Sequence, residues 1–243
     1  MATAPTMRAL AMTGFGGLDQ LTVTAVPRPD ILSPDDVRVR VVAAAINRID
    51  LFALQGLPKA KYTFPHVMGS DGAGVIESVG SNVTGIQPGD RVMLNPGVSC
   101  GHCPVCRAGD QPLCRRYRLL GEHLEGTIAE YIVVPEANVA RFGESLSWAE
   151  AAAYPLATLT AWRMLMTRAR LRPGETVLVW GVGGGVSLAA VQIAKLAGAR
   201  VIATSSSDAK LEVAQRLGAD KVLNHRVRDV ARDVRDITGI GAD

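Results

Sequence analysis

The run Gly181-Val182-Gly183-Gly184-Gly185-Val186-Ser187 narrows the folds open to this chain more than any other feature. It follows the short apolar stretch Thr176–Trp180 and opens Gly184–Ala197, which reads as a helix ended by Gly198. Consecutive glycines let a strand turn tightly into a helix and let another molecule approach the backbone closely. The helix start beyond them offers free N–H groups, the usual seat of a phosphate. The same alternation then continues. Arg200–Thr204 reads as a strand, Asp208–Leu217 as a helix ended by Gly218, Lys221–Asn224 as a strand and Val227–Thr238 as a helix. Successive strand–helix units of this kind build a parallel sheet with crossover helices.

A full doubly wound dinucleotide fold has about six strands. Residues 172–243 supply three, so they read as an incomplete Rossmann domain, with Gly239–Asp243 as the turn before a further strand. The glycines Gly181, Gly183, Gly184 and Gly185, with Val186, are the expected phosphate cradle. An NAD site usually carries Asp or Glu at the end of the second strand, to hold the ribose 2′-hydroxyl. Here that strand ends Thr204-Ser205-Ser206-Ser207. Small hydroxyls with Lys210 nearby suit a 2′-phosphate, which points to NADP(H). His225 follows the third strand, placed either toward an adenine or toward solvent.

The first half reads differently. Val37, Val39 and Val41 alternate with Arg38 and Arg40, the period of a half-buried strand. Gly72–Val79, Arg91–Leu94 and Ile128–Val134 read as further strands, and Pro88-Gly89-Asp90 as a turn. Ser147-Trp148-Ala149-Glu150 fits a capping box at the start of a helix, which Pro155 breaks before a second helix over Thr158–Arg168. The expected division is a β-rich domain over 1–145, a helical connector over 146–171 and the partial Rossmann domain after it.

All four cysteines lie in one loop, as Cys100-x2-Cys103-x2-Cys106-x7-Cys114 within a lobe at 95–115. Four thiolates at tight spacing match tetrahedral zinc, and four protein ligands leave no place for substrate, so the site is structural. A disulfide pair or an iron–sulfur cluster are the other readings of such spacing. The absence of a long apolar stretch in Met1–Leu10, and hence of an export signal, argues against disulfides. His102 lies inside the loop and reads as solvated. The remaining exclusions come from composition. Lys+Arg 26 against Asp+Glu 23 leaves a scattered +3, too weak for a nucleic-acid partner. No apolar run approaches a membrane span. The expected location is the cytoplasm.

Taken together these motifs resemble one family. A β-rich domain, a four-cysteine lobe and glycine-rich strand–helix units, in that order, look like the medium-chain dehydrogenase/reductase superfamily of zinc-containing alcohol dehydrogenases and quinone oxidoreductases. Gly69-Ser70-Asp71-Gly72-Ala73-Gly74, with Gly80 and Val83, resembles the family signature that begins Gly-His-Glu. Gly89-Asp90-Arg91-Val92 is also characteristic. The resemblance implies a GroES-like first domain and hydride transfer to or from a nicotinamide.

The departures carry as much as the matches. Family alcohol dehydrogenases hold a catalytic zinc with an early Cys, the His of the signature and a later Cys or acidic residue. The corresponding positions here are Asn47, Ser70 and Leu156, which leaves Asp71 as the one potential ligand, where about three are needed. Ile49 stands where those enzymes relay a proton through a hydroxyl. Asn47-Arg48-Ile49-Asp50 instead looks like the zinc-independent quinone oxidoreductase branch. By that resemblance Ser206 and Lys210 contact a 2′-phosphate and Thr160 lies near the nicotinamide. Ser187 replaces the branch's usual glycine, which implies slightly looser helix–strand packing.

The expectation is therefore an enzyme that transfers hydride between NADPH and a small carbonyl acceptor such as a quinone or enone. One structural zinc and no catalytic zinc are expected. Asn47 and Asp50 line the substrate cleft, and Tyr62 donates a proton. His66, Asp71 and His123 form a rival metal set, against the plainer reading of loop histidines with local hydrogen bonds. Two alternatives stand beside this: a zinc-type alcohol dehydrogenase with unusual ligands, and a non-catalytic chain. A homo-oligomer fits the family, although its usual pairing edge lies in the sheet half not seen here.

Overall fold

The computed structural model describes residues 5–58 and 61–243. The first four residues of the stretch Met1–Leu10, read above for an export signal, lie outside the described residues. The chain divides into two compact units, one ending at Leu156 and one running from Ala157 to Asp243.

The first unit is built on antiparallel sheets. Its elements, in chain order, are β1 (Thr6–Met12), β2 (Leu21–Pro27), β3 (Asp36–Ala45), α1 (Arg48–Gln55), β4 (His66–Val67) and β5 (Asp71–Val79). They continue with β6 (Arg91–Leu94), β7 (Gly97–Val98), α2 (Pro104–Arg107), β8 (Arg118–Leu119), β9 (Tyr131–Pro135), β10 (Val139–Arg141) and α3 (Trp148–Ala153). Five strands form a sheet in the order β10-β6-β5-β3-β9, three form another in the order β2-β1-β4, and β7 pairs with β8. The alternation predicted around Val37 is β3, whose Val37 and Val39 are fully buried beside Ile76, Val92, Leu94 and Val134. Gly74 shows how tightly β3 and β5 approach: a Cβ there would lie 2.2 Å from the Arg40 carbonyl oxygen.

The predicted strand Ile128–Val134 is corrected to Tyr131–Pro135. The residues before it serve the smaller sheet instead. Leu10 N–H donates to the Ile128 carbonyl, Glu130 N–H to the Arg8 carbonyl, and Ala9 bridges Ala129. The regular pairing with β3 runs from Tyr131, after the Glu130 carbonyl has accepted from Val41 N–H at 3.0 Å.

The capping box at Ser147 forms as its sequence predicts. Ser147 Oγ accepts from Glu150 N–H at 3.2 Å, and Glu150 Oε2 accepts from Ser147 N–H at 2.9 Å. α3 thereby starts with Ala151 and Ala152 buried against Ala73 and Phe142. Pro155 restarts the chain as α4 (Pro155–Trp162), which runs on into a π-helical stretch, Arg163–Ala169.

The second unit is the predicted strand–helix alternation. β11 (Thr176–Val179), α5 (Gly185–Leu196), β12 (Arg200–Ser205), α6 (Asp208–Arg216), β13 (Lys221–Asn224) and α7 (Val230–Thr238) follow one another. The sheet is parallel in the order β11-β12-β13. Its core is Val179, Val191, Ala194, Val201, Ala203, Leu211 and Ala214 on one face, with Ile202, Leu223, Val230 and Val234 on the other. Asp243 reaches the outer edge of β11: its N–H donates to the Thr176 carbonyl at 3.0 Å, and its Oδ2 accepts from Thr176 N–H at 2.8 Å. Among the described residues no helix is long and apolar enough to cross a membrane.

Candidate active site, metal centre and nucleotide cradle

The four cysteines converge. Their sulfurs lie within 4.8 Å of one another, with Cys103–Cys106 at 3.4 Å and Cys100–Cys106 and Cys103–Cys114 at 3.9 Å. Zinc–sulfur bonds of about 2.3 Å set tetrahedral sulfur spacings of about 3.8 Å. The donor set therefore fits one tetrahedral ion with little adjustment. Local structure explains the fit. Pro104 starts the short helix α2, and Cys103 at its N-cap accepts from Cys106 N–H, so one turn presents both sulfurs to the same side. The N–H groups of His102 and Cys103 pull the Cys100 thiol down to about 5, toward the thiolate a metal needs. His102 is exposed and meets Arg116 rather than the sulfurs.

A second constellation surrounds Asp71, which is fully buried at the start of β5. Its Oδ2 accepts from Asn47 Nδ2 at 2.9 Å and its Oδ1 from Leu156 N–H at 2.9 Å. Ser70 Oγ turns the other way and donates to the Leu120 carbonyl at 2.8 Å. Asn47 also ties its N–H to Asp50 Oδ2 at 2.6 Å, closing the first turn of α1. Asp50 is buried, and its other oxygen has no partner among the described residues. Burial raises the Asp71 carboxyl to about 6, against the pull of Asn47 and Leu156, and the nearby Asp50 pushes it further up. Burial also raises Asp50.

Tyr62 packs edge-on to Phe15 and His66, with ring centroids 5.4 and 4.9 Å away. Its hydroxyl is buried without a partner among the described residues, and burial followed by the charge of Glu122 holds its pKa above the ordinary value. The loop reading of His66 is corrected: it lies in β4, 5% exposed, hydrogen-bonded into β1 through its strand neighbours. His123 keeps local contacts, to Leu119 N–H and Glu122. Among the described residues only the cysteines gather three or more metal-ligating side chains, so His66, Asp71 and His123 do not form a set.

The glycine turn has the geometry its sequence implies. Gly181 and Gly183 sit at φ +75° and +131°, values that suit glycine, and α5 begins at Gly185. Gly185 packs on Ala157, where an added Cβ would come within 3.2 Å. Lys210 lies across the turn: a Cβ at Gly183 would meet Lys210 Cδ at 2.5 Å. Ser206 and Lys210 are exposed. Thr160 is exposed on α4. His225 stacks on Trp180, with centroids 5.2 Å apart and planes 9° from parallel, and its Nδ1 lies 3.3 Å from Thr204 Oγ1.

The alcohol dehydrogenase GroES-like domain model matches residues 33–144, and the zinc-binding dehydrogenase model matches residues 185–243. The NAD-dependent alcohol dehydrogenase of Sulfurisphaera tokodaii is 35% identical over 246 residues, covering 98% of this chain and 70% of that one. The chain belongs to the zinc-binding alcohol dehydrogenase family. The alcohol dehydrogenase of Geobacillus stearothermophilus, also in this family, is 38% identical over 90% of this chain and 64% of its own. Among solved structures, an NAD-dependent alcohol dehydrogenase superposes with a TM-score of 0.93 at 51% identity, over 98% of this chain and 69% of that one. A quinone oxidoreductase of Pseudomonas syringae gives 0.77 at 32%, over 96% and 63%. The chain thus spans 64–70% of the length of the two curated relatives named.

Within the family frame, sequence reasoning missed three contacts. Leu156 N–H on Asp71, Thr204 under the glycine turn and the Trp180–His225 stack all join residues at least 23 positions apart. No local pattern announces them, although Trp180, at the end of a strand next to the glycines, is a signal in hindsight.

Proposed function

We propose that this dehydrogenase transfers hydride between NADPH and a small carbonyl compound, such as a quinone or enone, without a catalytic zinc. The observation that carries the reading is the state of Asp71. Both of its oxygens accept hydrogen bonds, from Asn47 Nδ2 and Leu156 N–H. Asn47, Ser70 and Leu156 offer an amide, a hydroxyl already committed to Leu120 and an alkyl group, a set that does not fit zinc. The cysteine lobe does fit it, as a single structural ion.

The bound nicotinamide would supply the hydride. The chain's own part is to orient and to protonate. Tyr62, kept protonated by burial, has a hydroxyl without a partner among the described residues, which could donate to the acceptor oxygen. Asn47 is held by Asp50 through its backbone N–H and by Asp71 through its amide nitrogen, so its side chain is fixed for orienting the acceptor. Ser206 and Lys210 favour the 2′-phosphate of NADPH. The names of the relatives favour a second reading, an NAD-dependent alcohol dehydrogenase.

Two measurements on the purified chain separate them. Metal analysis giving one zinc per chain supports the first reading, and two zincs overturn it. Titration with NADPH and NADH decides the cofactor: preference for NADH gives the second reading that half of its claim, and failure to bind either removes the activity from this chain.

A further inference from the structure

The N–H groups of the glycine turn fall into two sets. Gly181 N–H donates to Thr204 Oγ1 at 3.1 Å and Val182 N–H to the Thr204 carbonyl at 2.6 Å. Gly183 and Gly184 N–H both donate to Ser187 Oγ, at 3.2 Å each, and that hydroxyl donates to the Gly184 carbonyl at 2.9 Å. Four consecutive donors are thus used inside the protein. The next three, on Gly185, Val186 and Ser187 in the first turn of α5, have no acceptor among the described residues. The first N–H groups of any helix lack an intrahelical partner, and where they follow a glycine turn they can receive a phosphate.

We infer that Ser187 is a positioning residue for the dinucleotide pyrophosphate: its hydroxyl commits Gly183 and Gly184 to the protein and assigns the phosphate to the N–H groups of Gly185 and Val186. The inference rests on reading the second unit as dinucleotide-binding. Its physical basis is order. Three successive glycines have more backbone freedom to lose than any other residues. A turn tied down before the ligand arrives spares the ligand that cost. Ser187 ties it from the helix side, and the Lys210 side chain covers it from the other. The slightly looser helix–strand packing expected from serine in place of glycine is thus offset by a specific hydroxyl contact.

The test uses the full chain with Ser187→Ala, Ser187→Gly and Ser187→Thr. Dinucleotide affinity should fall roughly tenfold in the Ala and Gly variants, as loss of one such hydroxyl anchor implies, and stay near the parent value in Thr. The loss should be equal for NADPH and NADH. It should be absent for adenosine 2′-monophosphate, which has no pyrophosphate. Unchanged or tighter dinucleotide binding in Ser187→Ala would overturn the inference, because Gly183 and Gly184 would then be donors the phosphate wants. An equal loss for adenosine 2′-monophosphate would overturn it too, since that reports general loosening. Amide exchange in the nucleotide-free protein keeps this apart from the choice of cofactor. Gly183 and Gly184 should be protected in the parent and in Ser187→Thr and lose protection in Ser187→Ala. Unprotected amides in the parent refute the anchor whichever nucleotide binds.

Discussion

Asp71 is the residue whose behaviour the geometry predicts most sharply. Its carboxyl is raised to about 6 in the folded protein, first by burial, against about 3.9 in an unfolded chain. The folded state therefore holds the proton more tightly. The stability this gives is fully present below about pH 4 and is lost as pH rises through about 6, a change of about 3 kcal/mol over the window. Asp71→Asn is neutral throughout. The unfolding free energy of the parent minus that of the variant should fall by this order between pH 4 and pH 7, other groups cancelling in the difference. Parallel pH profiles would mean that Asp71 titrates normally. Lys210 carries the second residue-scale prediction. If it holds the 2′-phosphate, Lys210→Ala should weaken NADPH by roughly ten- to a hundredfold and leave NADH within about twofold. Equal losses for both would reduce Lys210 to a cover for the glycine turn. Legibility differs between these sites for a plain reason. The convergence of the cysteines was readable because all four lie within 15 residues, whereas Asp71 is completed by groups 24 and 85 residues away.

At the scale of elements, the boundaries legible in sequence are those set by local chemistry. Ser147 and Glu150 fix the start of α3 by bonds only three residues long, and the helix begins where they say. Ser147→Ala removes the acceptor for Glu150 N–H and should cost about 1 kcal/mol, seen as a drop of about 2–4 °C in the melting temperature. Ser147→Asp, which still caps, should recover most of it. If Ala and Asp melted alike, the cap would be idle. The glycine-ended α5 and α6 were readable for the same reason: a stop at Gly198 or Gly218 is a property of one residue's backbone. The start of β9 was not, because Ile128–Glu130 is diverted to β1 by partners some 120 residues away. Nor were β4, β7 and β8, two residues each, too short to show a period. α1 was hidden by Asn47 and Asp50, read only for chemistry although together they also close that helix's first turn.

On the scale of the whole molecule, the cysteine lobe is the part of the first unit least able to hold itself. Between β7 and β8 the regular structure is a four-residue helix and a three-residue turn of 3-10 helix. Between β7 and β8 only Cys106 and Cys114 are buried, and their burial is among other sulfurs. A bound zinc ion would replace the missing core there, with a contribution on the order of 10 kcal/mol in isolated metal-binding peptides. Removing it should be felt locally first. A strong chelator should open the stretch between Ser99 and Tyr117 to proteolysis, where Arg107, Arg115 and Arg116 offer trypsin sites. It should also lower the melting temperature, and readdition of zinc should reverse both effects. Cys114→Ser should imitate the chelator, because Cys114 is the ligand that returns from outside the Cys100–Cys106 turn. A lobe equally resistant with and without metal would show that four converging sulfurs hold it through their own hydrogen bonds and packing. The zinc would then be a guest of the lobe instead of its core.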